Sequence, residues 1–127
     1  MKKNLVFYTY PSCTSCRRTK AWLKEHNITF EERHLFRETP NIEELLNLIK
    51  LTTEGIDEIL ATRSQSYREL NIDIESLRVT ELLKLMTEEP RLLKRPILTD
   101  GEKLIVGFDK GNLKKLENKK LLFNNIG

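Results

Sequence analysis

Residues 7–18 read FYTYPSCTSCRR and join the end of a strand to the start of a helix. The segment from Leu5 to Tyr10 is apolar, aromatic and β-branched, which is typical of a buried strand that ends in a turn at Pro11-Ser12. Cys13 follows where a helix begins, and apolar spacing predicts that helix over Thr14–His26. Two cysteines three positions apart therefore stand at a strand–helix junction.

The elements that follow place this junction in a larger sheet. A second strand is predicted over Thr29–Leu35, which gives a parallel strand–helix–strand unit with a right-handed crossover. The middle of the chain has helical spacing, and Asn41 followed by Glu44 is a helix-capping signal. We assign its apolar stripes to packing and predict four helical stretches, which begin near Ile42, Gly55, Ser64 and Val79.

Strand patterning returns in the last third of the chain. Pro96–Thr99 and Lys103–Val106 flank a turn at Asp100-Gly101, which predicts a β-hairpin, and a last helix is predicted over Asp109–Leu116. The order predicts a thioredoxin-like α/β fold, with a four-stranded mixed sheet and an inserted helical subdomain. We expect one domain, with the thioredoxin-like part at 1–38 and 94–118, the insert at 39–93 and a frayed tail at 119–127.

Length and composition fit one soluble globular domain. The chain has 127 residues, of which 39% are hydrophobic and 32% charged, and no apolar run approaches the ~20 residues of a membrane span. The N-terminus is not a signal peptide, so we expect a cytoplasmic protein. In that reducing compartment a close cysteine pair is more often redox-active or metal-binding than a structural bridge.

Charge is unevenly distributed although the net charge is only +3. The segment from Glu38 to Glu58 carries six acids against Lys50 alone. A basic cluster lies near the C-terminus and comprises Lys110, Lys114, Lys115, Lys119 and Lys120. Both clusters are explained by solvated helix faces; the alternative is an acidic protein-docking face and a basic tail near DNA.

The cysteine pair itself could serve catalysis, metal binding or oxidation sensing. A helix N-terminus favours the thiolate of Cys13, and the neighbouring Arg17, Arg18 and Lys20 add positive charge. Oxidation of Cys13 would give a sulfenic acid or mixed disulfide that Cys16 can resolve. Metal is disfavoured, because the two histidines of the chain are the only further ligands of the kinds that structural zinc uses most. We therefore predict no metal and no cofactor.

Three motifs in different parts of the chain resemble the Spx/MgsR family of bacterial redox-responsive transcription regulators. They are YPSCTSCRRTKAWL at 10–23, TEGIDEILATRS at 53–64 and LLKRPIL at 92–98. The similarity extends from about residue 5 to residue 116. The resemblance implies the arsenate reductase-like (ArsC-type) branch of the thioredoxin fold, in agreement with the predicted topology.

The same resemblance implies a function and a set of site residues. A protein of this kind binds the C-terminal domain of the RNA polymerase α subunit, meets promoter DNA only in complex with polymerase, and redirects transcription under thiol-oxidising or general stress. The switch would be a Cys13–Cys16 disulfide, and Gly55 would contact the α subunit, although a turn glycine is an equal alternative. Arg63 and Arg95 match basic residues that respond to the switch and support promoter contact, or else form local salt bridges.

Two departures from the family pattern limit what carries over. Gln65 stands where Spx proper has a lysine, so a charge role at that position is lost. Members of the family are degraded by the ClpXP protease, but residues 121–127 do not resemble the Spx degradation tail.

The rival function is an enzyme, either an arsenate reductase or a thioredoxin-like thiol–disulfide oxidoreductase. Arsenate reductases of this fold hold the oxyanion with one cysteine and three arginines, the third just after the last strand. Here that region reads VGFD at 106–109, so Asp109 stands where a positive charge is needed. We expect no enzyme. Pro96, beside the cysteine turn in this topology, is a candidate for a cis peptide bond.

Overall fold

The computed structural model describes residues 5–71 and 73–116. Four short strands form one mixed sheet in the order β2-β1-β3-β4, in which β1 pairs antiparallel with β3 and β3 with β4. Their bounds are β1 Val6–Thr9, β2 Glu31–His34, β3 Ile97–Thr99 and β4 Leu104–Val106. All four predicted strands are present, and each is shorter than its sequence pattern.

The helices also follow the predicted order. They are α1 Thr14–Glu25, α2 Ile42–Lys50, α3 Gln65–Leu70, α4 Val79–Glu88 and α5, residues 110–116. The stretch predicted near Gly55 is a single 3-10 turn, Ile56–Glu58. Two further 3-10 turns, Ile74–Ser76 and Pro90–Leu92, were not predicted, because one turn is too short to show a helical period. The tail predicted at 119–127 lies outside the described residues.

The described chain divides into two compact units. The first, here called the sheet unit, comprises the described residues up to Glu32 and from Arg95 onward, and the second, the helical unit, is Arg33–Lys94. The helical unit is close to the insert expected at 39–93. No helix in either described part is long and apolar enough to cross a membrane.

The core of the sheet unit forms on one face of the sheet. Phe7 lies opposite Leu98, and Leu98 lies opposite Ile105, so the three side chains share that face. Phe7 is fully buried and meets Phe30 edge-to-face at 5.4 Å between ring centroids. Helices α1 and α5 cover this face, and their buried side chains in the same cluster are Cys16, Trp22, Leu23 and Leu113.

The C-terminal end of α1 carries an aromatic stack. The rings of Trp22 and His26 lie 3.9 Å apart between centroids with 21° between their planes. His26 Nδ1 lies 2.8 Å from the Trp22 carbonyl oxygen, so the imidazole is held at the helix end. Asn27 follows with a φ of 55°, a left-handed conformation that stops the helix close to its predicted end at His26.

The helical unit has its own apolar core and well-capped helices. The Asn41 side chain accepts a hydrogen bond from the Glu44 N–H at 2.8 Å, and the Glu44 carboxylate accepts one from the Asn41 N–H, which confirms the predicted capping box. Arg33 also donates to Glu44 at 2.8 Å. The fully buried side chains of this unit include Leu35, Leu45, Ile59, Leu60, Leu83, Met86, Leu92 and Leu93.

Candidate functional site

Cys13 is the N-cap residue of α1. Its backbone is extended, and its Sγ accepts a hydrogen bond from the Cys16 N–H at 3.2 Å. The Cys13 N–H donates to the Tyr10 carbonyl at 3.2 Å, which closes the turn between β1 and α1. Cys13 Sγ therefore lies at the N–H groups and the positive end of the helix dipole.

Cys16 differs from Cys13 in its surroundings. It lies one turn into α1 at 1% exposure, within the core cluster, whereas Cys13 is partly exposed. Burial, followed by the hydrogen bond with Cys13, raises the pKa of the Cys16 thiol to about 11. Both cysteines are free thiols. An oxidant therefore reaches Cys13 first, and Cys16 is held protonated beneath it.

Oxidation of this pair by a peroxide would take two steps. The Cys13 thiolate would attack a peroxide oxygen, the O–O bond would break, and Cys13 would become a sulfenic acid while hydroxide leaves. The Cys16 sulfur would then attack the sulfenic sulfur, lose its proton, form the S–S bond and displace the hydroxyl oxygen as water. A dithiol reductant would reverse the reaction.

Two arginines lie against aromatic rings of the sheet unit. The Arg95 guanidinium carbon is 4.5 Å from the ring centroid of Tyr10, the residue whose carbonyl binds the Cys13 N–H. The Arg18 guanidinium carbon is 4.3 Å from the ring centroid of Phe108. Sequence reasoning missed both rings, although an aromatic directly before the Pro11 turn was a usable signal.

The cis peptide bond expected at Pro96 is confirmed, whereas one of the cations expected to act on Cys13 is paired with an acid. The Arg95–Pro96 peptide bond is cis, and Arg95 lies beside the cysteine turn through Tyr10. Lys20, which we expected to support the Cys13 thiolate, instead forms an ion pair with Glu32 at 2.8 Å. Its charge is therefore largely balanced by that carboxylate.

Asp109 caps α5. Its Oδ1 accepts from the Asn112 N–H at 3.2 Å, and its Oδ2 accepts from the Asn112 side-chain amide at 2.7 Å. This acid, which stands where an arsenate reductase would need its third arginine, thus stabilises a helix start. Among the described side chains, no three His, Cys, Asp or Glu residues gather as metal ligands would.

Gly55 and Arg63 belong to the helical unit, whereas Cys13, Cys16 and Arg95 belong to the sheet unit. Gly55 precedes the 3-10 turn with φ 95° and ψ −152°, and its N–H donates to Thr52 Oγ1 at 2.9 Å. Only glycine adopts this conformation easily. Gly55 therefore has a backbone role in the turn, whether or not it also contacts a partner. Arg63 is exposed just before α3.

Replacement of Gly55 by alanine is expected to destabilise the protein by about 1–3 kcal/mol. The reason is the positive φ and not crowding, because a Cβ at this position would meet no atom within 4 Å. Urea denaturation measures the loss, with Gly111→Ala in α5 as a control, since Gly111 has no such φ. An unchanged free energy of unfolding in Gly55→Ala would show that the loop adapts without cost.

A family model and two curated proteins match most of this chain. The ArsC family model matches residues 8–116. The chain is 61% identical to the regulatory protein MgsR of Bacillus subtilis, over 94% of this chain and 95% of that protein. It is 47% identical to the global transcriptional regulator Spx of Enterococcus faecalis, over 87% and 84% of the two chains.

Solved structures give the same fold. An ArsC family related protein of Bacteroides fragilis superposes with a TM-score of 0.80 at 30% identity, covering 91% of this chain and 98% of that one. An arsenate reductase of Vibrio cholerae superposes with a TM-score of 0.74 at 27% identity, covering 82% and 89%. These similarities confirm the predicted thioredoxin-like, ArsC-type fold. The chain therefore belongs to the ArsC family and, within it, to the group of Spx and MgsR regulators.

Proposed function

We propose that this protein is a redox-responsive global transcription regulator that binds the C-terminal domain of the RNA polymerase α subunit. The regulators named MgsR and Spx support the general role, since they align over most of the chain. One observation carries the redox part: Cys13 Sγ accepts from the Cys16 N–H at 3.2 Å at a helix start. The two thiols are thus poised for one intramolecular disulfide.

The disulfide would act through α1 and the turn before it. Cys13 caps this helix, and Cys16 lies in its first turn, packed in the core of the sheet unit. Bond formation would join Cys13 Sγ to the sulfur of Cys16, which is buried in the core. Tyr10 is hydrogen-bonded to Cys13 and stacked against Arg95, so this change would reach Arg95 directly. Arg95 would in this way respond to the switch.

Docking on the α subunit is proposed at the loop around Gly55. The loop is tightly built: Glu58 accepts from the Glu54 N–H, and Thr52 accepts from the Gly55 N–H. Asp57 is exposed beside it, in an acidic segment that could meet a basic partner surface. Because Gly55 itself has a backbone role, Gly55→Lys would test folding and docking together, and Asp57 is the better probe.

The test is a titration of the purified α C-terminal domain with the reduced and the oxidised protein. Asp57→Lys should weaken binding by about tenfold or more if the loop is the contact. Glu88→Lys is the matched control, because Glu88 is an exposed acid at the end of α4 in the same unit. Equal affinity of the wild type and Asp57→Lys would refute docking at this loop. If neither the reduced nor the oxidised protein binds the α C-terminal domain, the proposed function is refuted.

An enzyme is the second candidate, because several similar folds are named as arsenate reductases. Arg95 is positioned near the cysteine turn, but the third cation is replaced by Asp109, which caps α5. We therefore expect no arsenate-dependent turnover in a coupled assay with glutaredoxin and glutathione. A rate like that of a true arsenate reductase would overturn the regulator assignment, and efficient reduction of a disulfide substrate would favour an oxidoreductase.

A further inference from the structure

The two units carry opposite net charge. Residues 33–94 contain 9 Lys and Arg against 12 Asp and Glu, whereas the rest of the chain contains 13 against 7. The helical unit is therefore net −3 and the remainder net +6. A sequence with a total of only +3 thus separates into an acidic part and a strongly basic part.

Much of the positive charge lies on the outer side of α1 and α5. Both helices pack on the same face of the sheet through one core cluster. The contact of Arg18 with Phe108 also joins α1 to the segment just before α5. Their exposed cations, here called the α1–α5 face, are Arg17, Arg18, Lys24, Lys110, Lys114 and Lys115. Glu25 is the single acid within these two helices, and Asp109 is engaged as the α5 cap.

The kind of partner follows from what this face lacks. The large hydrophobic side chains that are exposed among the described residues all lie in the helical unit, namely Phe36, Ile42, Leu46, Leu70 and Val79. A protein interface centres on apolar anchors, and a membrane-surface helix inserts apolar side chains. A nucleic acid backbone requires neither, because phosphate neutralisation alone supplies sequence-independent binding.

The cations of this face are spread along both helices. Arg17 and Lys24 are separated by about 10 Å along α1, and Lys110 and Lys114 by about 6 Å along α5. Arg18 is held against Phe108, which presents a planar cation at a fixed place. Six cations spread over two neighbouring helices can contact phosphates on a DNA strand without reading its bases.

We propose that the α1–α5 face binds the phosphate backbone of duplex DNA. The proposal rests on the proposed function only for the kind of nucleic acid, since a regulator held on polymerase is brought to promoter DNA. The α1–α5 face is distinct from Arg63 and Arg95. We expect the protein alone to bind duplex DNA weakly, without sequence preference and with a strong dependence on salt. The polymerase would then hold this contact at one position on the promoter.

The experiment measures anisotropy of a short labelled DNA duplex of mixed sequence with the full chain, between roughly 50 and 200 mM salt. The variant is Arg17→Gln with Lys24→Gln and Lys114→Gln, and the matched control is Lys50→Gln with Lys84→Gln and Lys94→Gln. Both sets remove three exposed cations, the first from the sheet unit and the second from the helical unit. Thermal denaturation checks that both variants fold.

We expect the first variant to lose about tenfold or more in affinity and to flatten the slope of log K against log salt by roughly 3. The control should behave nearly as the wild type. Equal losses in both variants, or no DNA binding by the wild type at the lowest salt, would overturn the proposal. Binding to phosphatidylglycerol vesicles without binding to DNA would also overturn it. Affinity for the α C-terminal domain, measured on the same variants, should not change, so this test and that of the proposed function can fail separately.

Discussion

Replacement of Cys16 by serine is expected to abolish the intramolecular disulfide and, with it, any redox dependence of α-subunit binding. Cys13 would still react with peroxide, because it is the partly exposed thiol at the start of α1. Its sulfenic acid would then persist, overoxidise or capture an external thiol. Intact-mass analysis with a sulfenic-acid trap should show the adduct in Cys16→Ser and the loss of two hydrogens in the wild type.

Cys13→Ser is the matched control for this experiment. It should show neither the adduct nor the disulfide, because the remaining thiol is 1% exposed and raised in pKa to about 11. A rapid sulfenic adduct at Cys16 in this variant would reverse the assigned order of attack. Redox-dependent binding that survives in Cys16→Ser would show that the switch does not need the bridge.

The closure step should accelerate with pH. The attacking form of Cys16 is its thiolate, and with a pKa of about 11 this form increases about tenfold for each pH unit between 7 and 9. The second step should rise accordingly until another step limits the rate. Peroxide treatment followed by acid quench and mass analysis gives the rate.

Truncation of Phe7 to alanine is expected to cost about 3–5 kcal/mol of unfolding free energy. Phe7 is fully buried at the centre of the sheet-unit core, where it touches Phe30 and faces α1 and α5. Phe36→Ala is the control of the same chemistry, since Phe36 is 39% exposed and should lose less than about 1 kcal/mol. Urea denaturation of both variants measures the two losses of unfolding free energy. A small loss in Phe7→Ala would mean that the core collapses to fill the cavity.

Most of the architecture follows from short-range patterns in the sequence. The helix–strand order could be predicted because α2 has a capping box at Asn41 and Glu44, and because Asp100-Gly101 stands between two apolar strands. The unequal burial of the cysteines could not be predicted in this way. Cys16, Thr19 and Leu23 recur at helical spacing on the buried side of α1, and Cys13 packs against the same core cluster but stays partly exposed because it is the N-cap residue.

Other features depend on how distant segments meet. The positive φ of Gly55 is set by closure of the loop between α2 and the core, where Thr52 and Glu58 fix the backbone. The pairing of Lys20 with Glu32 links α1 to a strand edge that no local pattern connects to it. Asp109 was interpreted only through the missing arginine, although an Asp three residues before Asn112 is also a capping signal.

The Trp22–His26 stack gives the protein a built-in optical probe. Trp22 is the single tryptophan of the chain, so its emission arises from one place. It belongs to the same core cluster as Cys16, and its ring is held 3.9 Å from the imidazole of His26. A disulfide is a quencher of indole fluorescence at short range, so formation of the bridge should be visible as a change in emission. Oxidation of the unlabelled protein can therefore be followed in real time.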